Sequence, residues 1–282
     1  MKKAIFTLAI GDNPMYKAAV ASFKEYGKKV GADVITSDKL HYKIDIKNPK
    51  FDASPAWSEK LYISELLKEY DRVLYLDADM IVTPWARDIF EECPDRDTVY
   101  MFNEGKHRDR GAQAEQINEV LGDVDWPKED DLIVYYNSGM FLVSKETGLF
   151  DSAGIEEMQA ICNKVKFYDQ TYINYLIRRD NIKSVGVESG FNRMQLLGHD
   201  NYQKADFIHY SGRGYRQKVP MRELKYIIDY CDIYKDVLTE AEILDYKKQA
   251  WHWYILKQYR KTKLPMGLLS FVFGLVHPKH KY

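Results

Sequence analysis

The fold is indicated first by ten consecutive residues, Val73-Leu74-Tyr75-Leu76-Asp77-Ala78-Asp79-Met80-Ile81-Val82. Two carboxylates, one residue apart, follow one apolar run and precede another. Charges are costly inside a sheet, so these acids must lie at the rim of a sheet or be compensated by a cation. The apolar run before Asp77 therefore predicts a buried strand over residues 72–76 that ends at a polar edge.

Strand-like and helix-like segments alternate on both sides of this stretch. The expected strands are 3–10, 30–36, 72–76, 99–103 and 133–144, and the expected helices are 16–26, 56–70 and 170–177. This alternation predicts an α/β fold with a Rossmann-like, mainly parallel central sheet flanked by helices. Ligands of such sheets bind beyond the carboxyl ends of the strands, where Asp77 and Asp79 fall. The polar segment 104–131 is expected to form a mobile loop or short helices over the site.

Composition excludes several classes of protein. The 282 residues carry 41 basic and 42 acidic side chains, which argues against a nucleic-acid binder because phosphates require a concentrated positive field. Aromatic residues are 14% of the chain, too many for a disordered protein. Cys93, Cys162 and Cys231 show no CxxC pairing, so three buried thiols in a reducing compartment are expected.

The N-terminal segment superficially resembles a signal peptide. Its apolar run stops at Asp12-Asn13 with no small-residue cleavage site, so residues 3–10 are better interpreted as the first buried strand of a cytoplasmic protein. No run reaches the roughly 18 apolar residues expected of a transmembrane helix.

The two carboxylates suit a metal ion. Hard oxygen ligands at the end of a strand favour Mg²⁺ or Mn²⁺ that also binds a diphosphate. An isolated Asp-x-Asp is a weak motif whose alternative is a solvated turn, but the apolar flanks on both sides favour the metal. A second signal is Phe207-Ile208-His209-Tyr210-Ser211-Gly212-Arg213-Gly214. Its glycines let backbone N–H groups approach an anion, and a neutral His209 suits Mn²⁺. Taken alone, His209 is more often a structural histidine.

Together these segments resemble glycosyltransferase family 8, which includes glycogenin and the bacterial lipopolysaccharide galactosyl- and glucosyltransferases. The matching blocks, in order over about residues 3–218, are Thr7-Leu8-Ala9, Lys60, Asp77-Ala78-Asp79, Asn137-Ser138-Gly139, Asp169-Gln170 and His209-Tyr210-Ser211-Gly212. The resemblance implies a GT-A fold, a UDP-sugar donor, dependence on Mn²⁺ (or Mg²⁺) and retention of anomeric configuration.

The resemblance also assigns roles to the matching residues. It implies that Asp77, Asp79 and His209 ligate the metal and that the backbone around Ala78 lies against the donor. In the family, the segment matching Leu8, Ala9 and Tyr16 holds uracil. Lys60 matches a basic residue that contacts the donor, and it is otherwise expected to be a solvated helix lysine.

The sugar pocket and the catalytic pair follow from the same resemblance. Asn137, Ser138 and Gly139 match the segment that lines the sugar pocket. Asp169 and Gln170 match the pair beneath the anomeric carbon, where the acid orients the sugar and the glutamine faces its β side. Asp169 is at the same time a candidate N-cap for the helix 170–177.

The sequence departs from the family at two places. The family's glycine loop, here around Gly212, usually continues to Lys-Pro-Trp with a lysine on the diphosphate, but that position is Tyr215. Arg213, Arg216 or Lys218 must substitute if the contact exists. The turn at residues 11–14 is also longer than in glycogenin, so the uracil alignment can slip by a residue or two.

Retention needs a mechanism that these residues can perform. No second carboxylate is clearly placed as a nucleophile, and the Gln170 amide is a poor one. Front-face attack by the acceptor hydroxyl, with UDP accepting the proton, is therefore expected instead of the two-carboxylate scheme of hydrolases.

Charge is concentrated at the C-terminus. Residues 246–282 contain eight Lys/Arg and no acid, which gives them a net charge of +8. Because the whole chain has a net charge of −1, the other residues have a net charge of −9. Trp251, Trp253, Tyr254 and Tyr259 interleave with these cations, and a 13-residue apolar run follows at 264–276. We therefore expect a catalytic domain at 1–245 and a basic, aromatic tail at 246–282. The tail suits an anionic membrane surface on the inner face of the cell membrane, and the alternative is a helix packed on the catalytic body.

The resemblance to family 8 therefore implies a UDP-hexose transferase acting on a glycan or a lipid-linked sugar in surface polysaccharide or lipopolysaccharide assembly. One alternative is a sugar-nucleotide nucleotidyltransferase, but the N-terminal glycine-rich basic loop of that class is missing, since residues 8–16 contain one glycine. Another alternative is a non-catalytic nucleotide-sugar or glycan-binding module.

Overall fold

The computed structural model describes residues 1–280 and 282. Its strands are β1 (Lys3–Leu8), β2 (Ala32–Ser37), β3 (Arg72–Leu76), β4 (Met80–Val82), β5 (Val99–Asn103), β6 (Lys128–Glu129), β7 (Leu132–Ile133), β8 (Tyr136–Ser144), β9 (Ser184–Gly186), β10 (Arg193–Met194) and β11 (Phe207–His209). Its α-helices are α1 (Pro14–Val30), α2 (Ile63–Leu66), α3 (Ile89–Glu92), α4 (Gly111–Leu121), α5 (Ile155–Ile161), α6 (Tyr168–Arg179), α7 (Arg222–Ile233), α8 (Glu240–Thr262) and α9 (Met266–Val276). Short 3₁₀ helices lie at Pro55–Tyr62, Glu104–Lys106, Lys145–Thr147, Ser189–Asn192, Gln195–Leu197, Tyr202–Lys204 and Pro278–His280.

The main sheet has the strand order β2-β1-β3-β8-β5-β9. β1 is parallel to β2 and β3, and β5 is parallel to β9, whereas β8 is antiparallel to β3 and β5. β3, β5 and β8 are buried at every residue, as expected of central strands that helices cover on both faces. The predicted mainly parallel α/β sheet is therefore confirmed.

The strand expected at 133–144 is interrupted. β7 ends at Ile133 and β8 begins at Tyr136, because the backbone N–H groups of the two residues between them donate to acceptors outside a sheet ladder. The Val134 N–H donates to Pro127 O at 2.7 Å, and the Tyr135 N–H donates to Asn103 Oδ1 at 3.3 Å.

The single helix expected at 56–70 is wrong in type and in length. Ser54 caps a 3₁₀ helix over Pro55–Tyr62, and only the short α2 follows it. The Ser58 hydroxyl donates to Pro55 O and the Ser64 hydroxyl donates to Leu61 O, each three residues back. Bonds of this kind compete with the α-helical ladder, which favours tighter turns in this segment.

The segment 104–131 forms short elements of its own. A 3₁₀ turn at Glu104–Lys106, the helix α4 and the hairpin β6–β7 account for most of it. The expectation of short helices is confirmed. However, Glu104 itself is buried, and it belongs to the site described below.

The described chain divides into two compact units. The first comprises Met1–Ile10, Gly27–Asp77 and Arg87–Asn192 and contains the main sheet. The second comprises Gly11–Tyr26, Ala78–Ala86 and Arg193–Tyr282. It has a small sheet of its own, in which β11 is parallel to β10 and antiparallel to β4.

The C-terminal residues form helices in the second unit. A capping box of Thr239 and Glu242 begins α8, and Tyr246 of α8 meets Tyr230 of α7 edge to face at 5.2 Å. Trp251 Nε1 of α8 donates to Ser270 Oγ of α9. The alternative of a tail helix packed on the body therefore applies to α8. The proposed division at residues 245 and 246 falls inside α8 and stays a prediction.

The cysteines and the apolar character of the helices can be compared with the sequence-based expectations. Cys93, Cys162 and Cys231 are free and buried, as expected, and burial raises the pKa of Cys93 and Cys231 to about 11. No helix in the described part of the chain has both the length and the apolar character needed to cross a membrane.

Candidate active site

Asp77 is the first polar residue after β3, and its position is set by the main sheet. Leu76 pairs with Met140 of β8, and the Asp77 N–H then donates to Gly139 O at 2.8 Å. The Tyr75 hydroxyl donates to Asp77 Oδ1 at 2.7 Å. The carboxylate is thus held at the carboxyl end of a central strand, as the sequence predicts.

Lys60 lies in the 3₁₀ helix of the first unit and is buried, so it is not a solvated helix lysine. Its ammonium donates to Asp169 Oδ2 at 2.7 Å and to Ser138 Oγ at 2.9 Å, and it lies 3.6 Å from Asp77 Oδ1. Burial disfavours the charged ammonium, but attraction to Asp169 and Asp77 outweighs that effect and raises the pKa of Lys60. Lys60 therefore links three residues that the sequence analysis selected separately.

Asp169 is not the N-cap of its helix, which corrects one of the two roles expected for it. α6 begins at Tyr168, and its N-cap is Phe167 in the left-handed conformation with φ 53°. Asp169 lies in the first turn, and its carboxylate accepts from Lys60 and from Ser138 Oγ at 3.3 Å. The acid therefore lies inside the polar cluster rather than at the helix end.

Gln170 is held by hydrogen bonds that fix the orientation of its amide. Its Oε1 accepts from Asn137 Nδ2 at 3.0 Å and from the Ser138 N–H at 3.1 Å. Its Nε2 donates to Glu104 Oε2 at 3.2 Å, and that oxygen also accepts from Asn137 Nδ2. Arg110 pairs with the other Glu104 oxygen. Asn137 and Gln170, which the resemblance assigns to the same site, are thus in direct contact.

Glu104 and Arg110 belong to the same group of contacts as Asn137 and Gln170, although the sequence patterns do not indicate them. Both are buried, and their charges compensate each other. Gly105 allows the chain to turn directly after Glu104, because a Cβ there would lie 2.1 Å from Ile133 O. The sequence does contain one signal for Glu104, because it is a single acid directly after the predicted strand 99–103.

His209 ends β11 in the second unit, and Asp79 precedes β4, the neighbouring strand. The register pairs His209 with Met80, and the Tyr210 N–H donates to Asp79 O at 3.0 Å. This pairing brings His209 Nε2 to 3.2 Å from Asp79 Oδ1. The histidine is buried and faces a carboxylate. This environment suits a metal ligand and also suits a structural histidine.

Asp77, Asp79 and His209 each offer one ligand atom, and these atoms all lie within 4.8 Å of one another. Two carboxylate oxygens and one imidazole nitrogen form a donor set that suits Mn²⁺ and, less well, Mg²⁺. Ala78, between the two acids, is buried. The residues present therefore fit a divalent cation.

The loop after His209 carries the residues expected to contact the diphosphate, and that contact stays a prediction. Gly212 has φ +59° and is exposed, and Arg213, Arg216 and Lys218 are exposed as well. Tyr215, at the family's lysine position, is buried and stacks on Tyr202 with ring centroids 3.8 Å apart. Arg222 is a cation that does reach the site, since its Nη1 donates to Asp79 Oδ2 at 3.1 Å. No motif in the sequence marked it.

The residues expected to hold uracil lie near the N-terminus. Leu8 ends β1, and the Ala9 N–H donates to Ser37 O at 2.8 Å, which continues the pairing with β2. Tyr16 lies in the first turn of α1. Their contact with a base stays a prediction.

The fold is that of known glycosyltransferases. The chain superposes on the galactosyltransferase LgtC, solved in complex with donor and acceptor sugar analogs, with a TM-score of 0.55 and 15% identity over 86% of this chain and 99% of that one. A glycosyltransferase involved in the glycosylation of the major capsid of PBCV-1 gives a TM-score of 0.51 and 14% identity over 81% of this chain and 100% of that one. The bifunctional glycosyltransferase WbbM gives 0.51 and 13% identity over 83% of this chain and 51% of that one.

Comparisons of sequence alone find no family model and no curated protein that matches the chain. At identities this low, the structural likeness establishes the fold. The predicted GT-A fold is therefore confirmed, and its presence in LgtC is consistent with the resemblance to family 8.

Proposed function

We propose that this protein is a retaining glycosyltransferase of family 8 that moves a hexose from a UDP-sugar to a glycan or a lipid-linked sugar. The observation that carries the proposal is the group of Asp77, Asp79 and His209, whose ligand atoms lie within 4.8 Å of one another, in a chain with a glycosyltransferase fold. Phosphate oxygens are hard ligands that share a divalent cation readily with carboxylates. A nucleotide diphosphate is therefore the ligand class that this donor set suits.

The metal, when bound, would offset the charge that grows on departing UDP. Asp77, Asp79 and His209 would hold it. Nearby, Lys60 holds Asp169 and Ser138 in one orientation through bonds of 2.7 to 3.0 Å. A preorganised polar surface of this kind stabilises a developing charge without reorganising at the moment of reaction. In this proposal Asn137, Ser138 and Gly139 line the sugar pocket.

The contacts of Asp169 and Gln170 support front-face attack. The Asp169 carboxylate is paired with a buried ammonium, which lowers its nucleophilicity, and the Gln170 oxygen already accepts two hydrogen bonds. Neither group is therefore poised to form a covalent glycosyl-enzyme. In this proposal Asp169 orients the sugar, Gln170 faces the anomeric carbon, and UDP accepts the proton from the acceptor hydroxyl. Trapping a covalent glycosyl-enzyme on Asp169 would overturn this mechanism.

We expect UDP release from one member of a panel of UDP-hexoses in the presence of Mn²⁺ and acceptor, and we expect EDTA to abolish it. The reason is that both the binding of the diphosphate and the departure of UDP depend on the cation. The measurement is UDP formed with time for each donor, with and without EDTA, and with excess Mn²⁺ added back. Binding of UDP without turnover of any donor would favour a non-catalytic binding module, and equal turnover with EDTA would contradict the metal.

The proposal includes an anionic membrane surface as a partner on the cytoplasmic face of the cell membrane. α9 and its flanks leave six large apolar side chains exposed: Leu264, Leu268, Phe271, Val272, Leu275 and Val276. The same stretch of chain carries the excess of Lys and Arg. Exposed apolar groups beside cations suit the interface of an anionic bilayer, where a lipid-linked acceptor would be presented.

The membrane proposal predicts that full-length protein floats with vesicles containing phosphatidylglycerol and that Phe271→Glu/Leu275→Glu does not. Two charges in place of apolar groups should lower the partition constant by at least about tenfold. Val237→Glu, at an exposed apolar residue of the second unit outside this stretch, is the matched control and should float like wild type. Point variants are preferable to truncation at residue 245, which would remove the buried Trp251 and Tyr254. Equal flotation of all three proteins would disprove the role of α9.

A further inference from the structure

Arg222 is the first residue of α7, and its guanidinium reaches the Asp79 carboxylate. A single nitrogen, Nη1, makes both of its protein contacts, to Asp79 Oδ2 at 3.1 Å and to Tyr210 O at 3.2 Å. Nη2 and Nε make no hydrogen bond within residues 1–280 and 282. Arg222 is only partly buried, with 26% of its side chain exposed. Donors on two of its nitrogens therefore remain available to an anion.

Gly214 leaves the space through which the Arg222 side chain passes. A Cβ at Gly214 would lie 2.9 Å from Arg222 Cγ and 3.4 Å from Cδ. Cγ lies near the backbone, so the side chain cannot simply swing away from such a contact. Gly214 also has φ +57° and closes the turn through its N–H bond to Ser211 O at 2.9 Å. The loop after His209 is thus shaped around this arginine.

Arg222 and a metal ion compete for Asp79. The guanidinium compensates the charge of Asp79 in the structure, whereas a divalent cation held by Asp79 and His209 would place like charges close together. Like charges at such separations repel unless an anion lies between them. An oxyanion that bridges the metal and the guanidinium removes the conflict, because planar guanidinium groups bind phosphate oxygens through two parallel N–H bonds.

We propose that Arg222 opposes binding of the metal alone and binds the diphosphate once both are present, and so makes metal and UDP binding mutually dependent. The inference rests on the proposed function and adds a residue to it. It assigns the diphosphate contact to Arg222 instead of Arg213, Arg216 or Lys218, which the loop leaves exposed. Coupling of this kind is reciprocal, so each ligand must raise the affinity for the other by the same factor.

The test compares wild type with Arg222→Met by calorimetry, using Mn²⁺ alone and UDP at saturating Mn²⁺. We expect Mn²⁺ alone to bind about three- to tenfold more tightly to Arg222→Met, because a neighbouring positive charge is gone. We expect UDP to bind about ten- to one-hundredfold more weakly, because charge-assisted hydrogen bonds to phosphate are lost. These effects have opposite signs, and a variant that is merely damaged would weaken both.

Three further variants complete the test. Arg222→Lys keeps the charge and should leave Mn²⁺ binding unchanged while it weakens UDP, and Gly214→Ala should shift both affinities in the direction of Arg222→Met. Arg260→Met, at an exposed arginine of α8, is the control for loss of an arginine and should change neither. If wild type binds Mn²⁺ and UDP but Arg222→Met binds both with wild-type affinity, the inference fails and the proposed function stands. If wild type binds neither ligand, both are wrong.

Discussion

Asp79→Asn is expected to abolish metal-dependent UDP binding and to lower turnover at least about 10³-fold. Asparagine has nearly the same shape, so the backbone bond between the Tyr210 N–H and Asp79 O should persist. The charge that attracts the metal, 3.2 Å from His209 Nε2, is lost. The measurements are UDP affinity with and without Mn²⁺ and UDP release from the preferred donor.

Asp245→Asn is the matched control for this variant. Asp245 is an exposed carboxylate of the second unit that also pairs with a cation, Lys17, at 3.2 Å. Its loss should leave both UDP affinity and turnover unchanged. Circular dichroism establishes that each variant folds. Retention of metal-dependent UDP binding by folded Asp79→Asn would show that Asp79 is not a metal ligand.

Lys60→Met is expected to lower the free energy of unfolding by about 3–5 kcal/mol, because it leaves Asp169 buried without its cation. Turnover should fall as well, because Asp169 and Ser138 lose the group that holds them. The measurement is urea unfolding at pH 7. The pKa of Lys60 is raised above its ordinary value of 10.5, so its contribution is fully present below pH 10.5 and disappears as the pH rises through the folded value.

The double variant Lys60→Met/Asp169→Asn separates stability from function. It removes both charges, so much of the lost stability should return while turnover stays low. Lys68→Met is the control for loss of a lysine, since the exposed pair of Lys68 with Glu65 at 2.7 Å is worth no more than about 1 kcal/mol. If Lys60→Met is as stable as Lys68→Met, the buried cluster does not depend on Lys60.

Much of the fold follows from local pattern. The strands at 72–76 and 99–103 were predicted with the bounds that the structure has, because each contains four consecutive apolar residues, a pattern typical of a short buried strand. The prediction of one helix at 56–70 was wrong because serine hydroxyls and a proline after the N-cap favour 3₁₀ turns. Apolar periodicity does not distinguish such turns from an α-helix. The break between β7 and β8 depends on the distant acceptors Pro127 and Asn103.

The amino-acid sequence alone predicts the class of site, from carboxylates after a buried strand, a histidine before a glycine loop, and the order of six blocks. Those features are local in the chain, and apolar pattern is enough to position them at strand ends. The partners of these polar groups, in contrast, are visible in the tertiary structure alone. Lys60 and Asp169 are 109 residues apart, and Arg222 and Asp79 are 143 apart, yet each pair is in contact. Glu104 joined Gln170 in the same way, across 66 residues. Such partners depend on how strands pair and helices pack. A buried charge is costly unless an opposite charge lies beside it, and the packing of distant segments determines which residue supplies that charge.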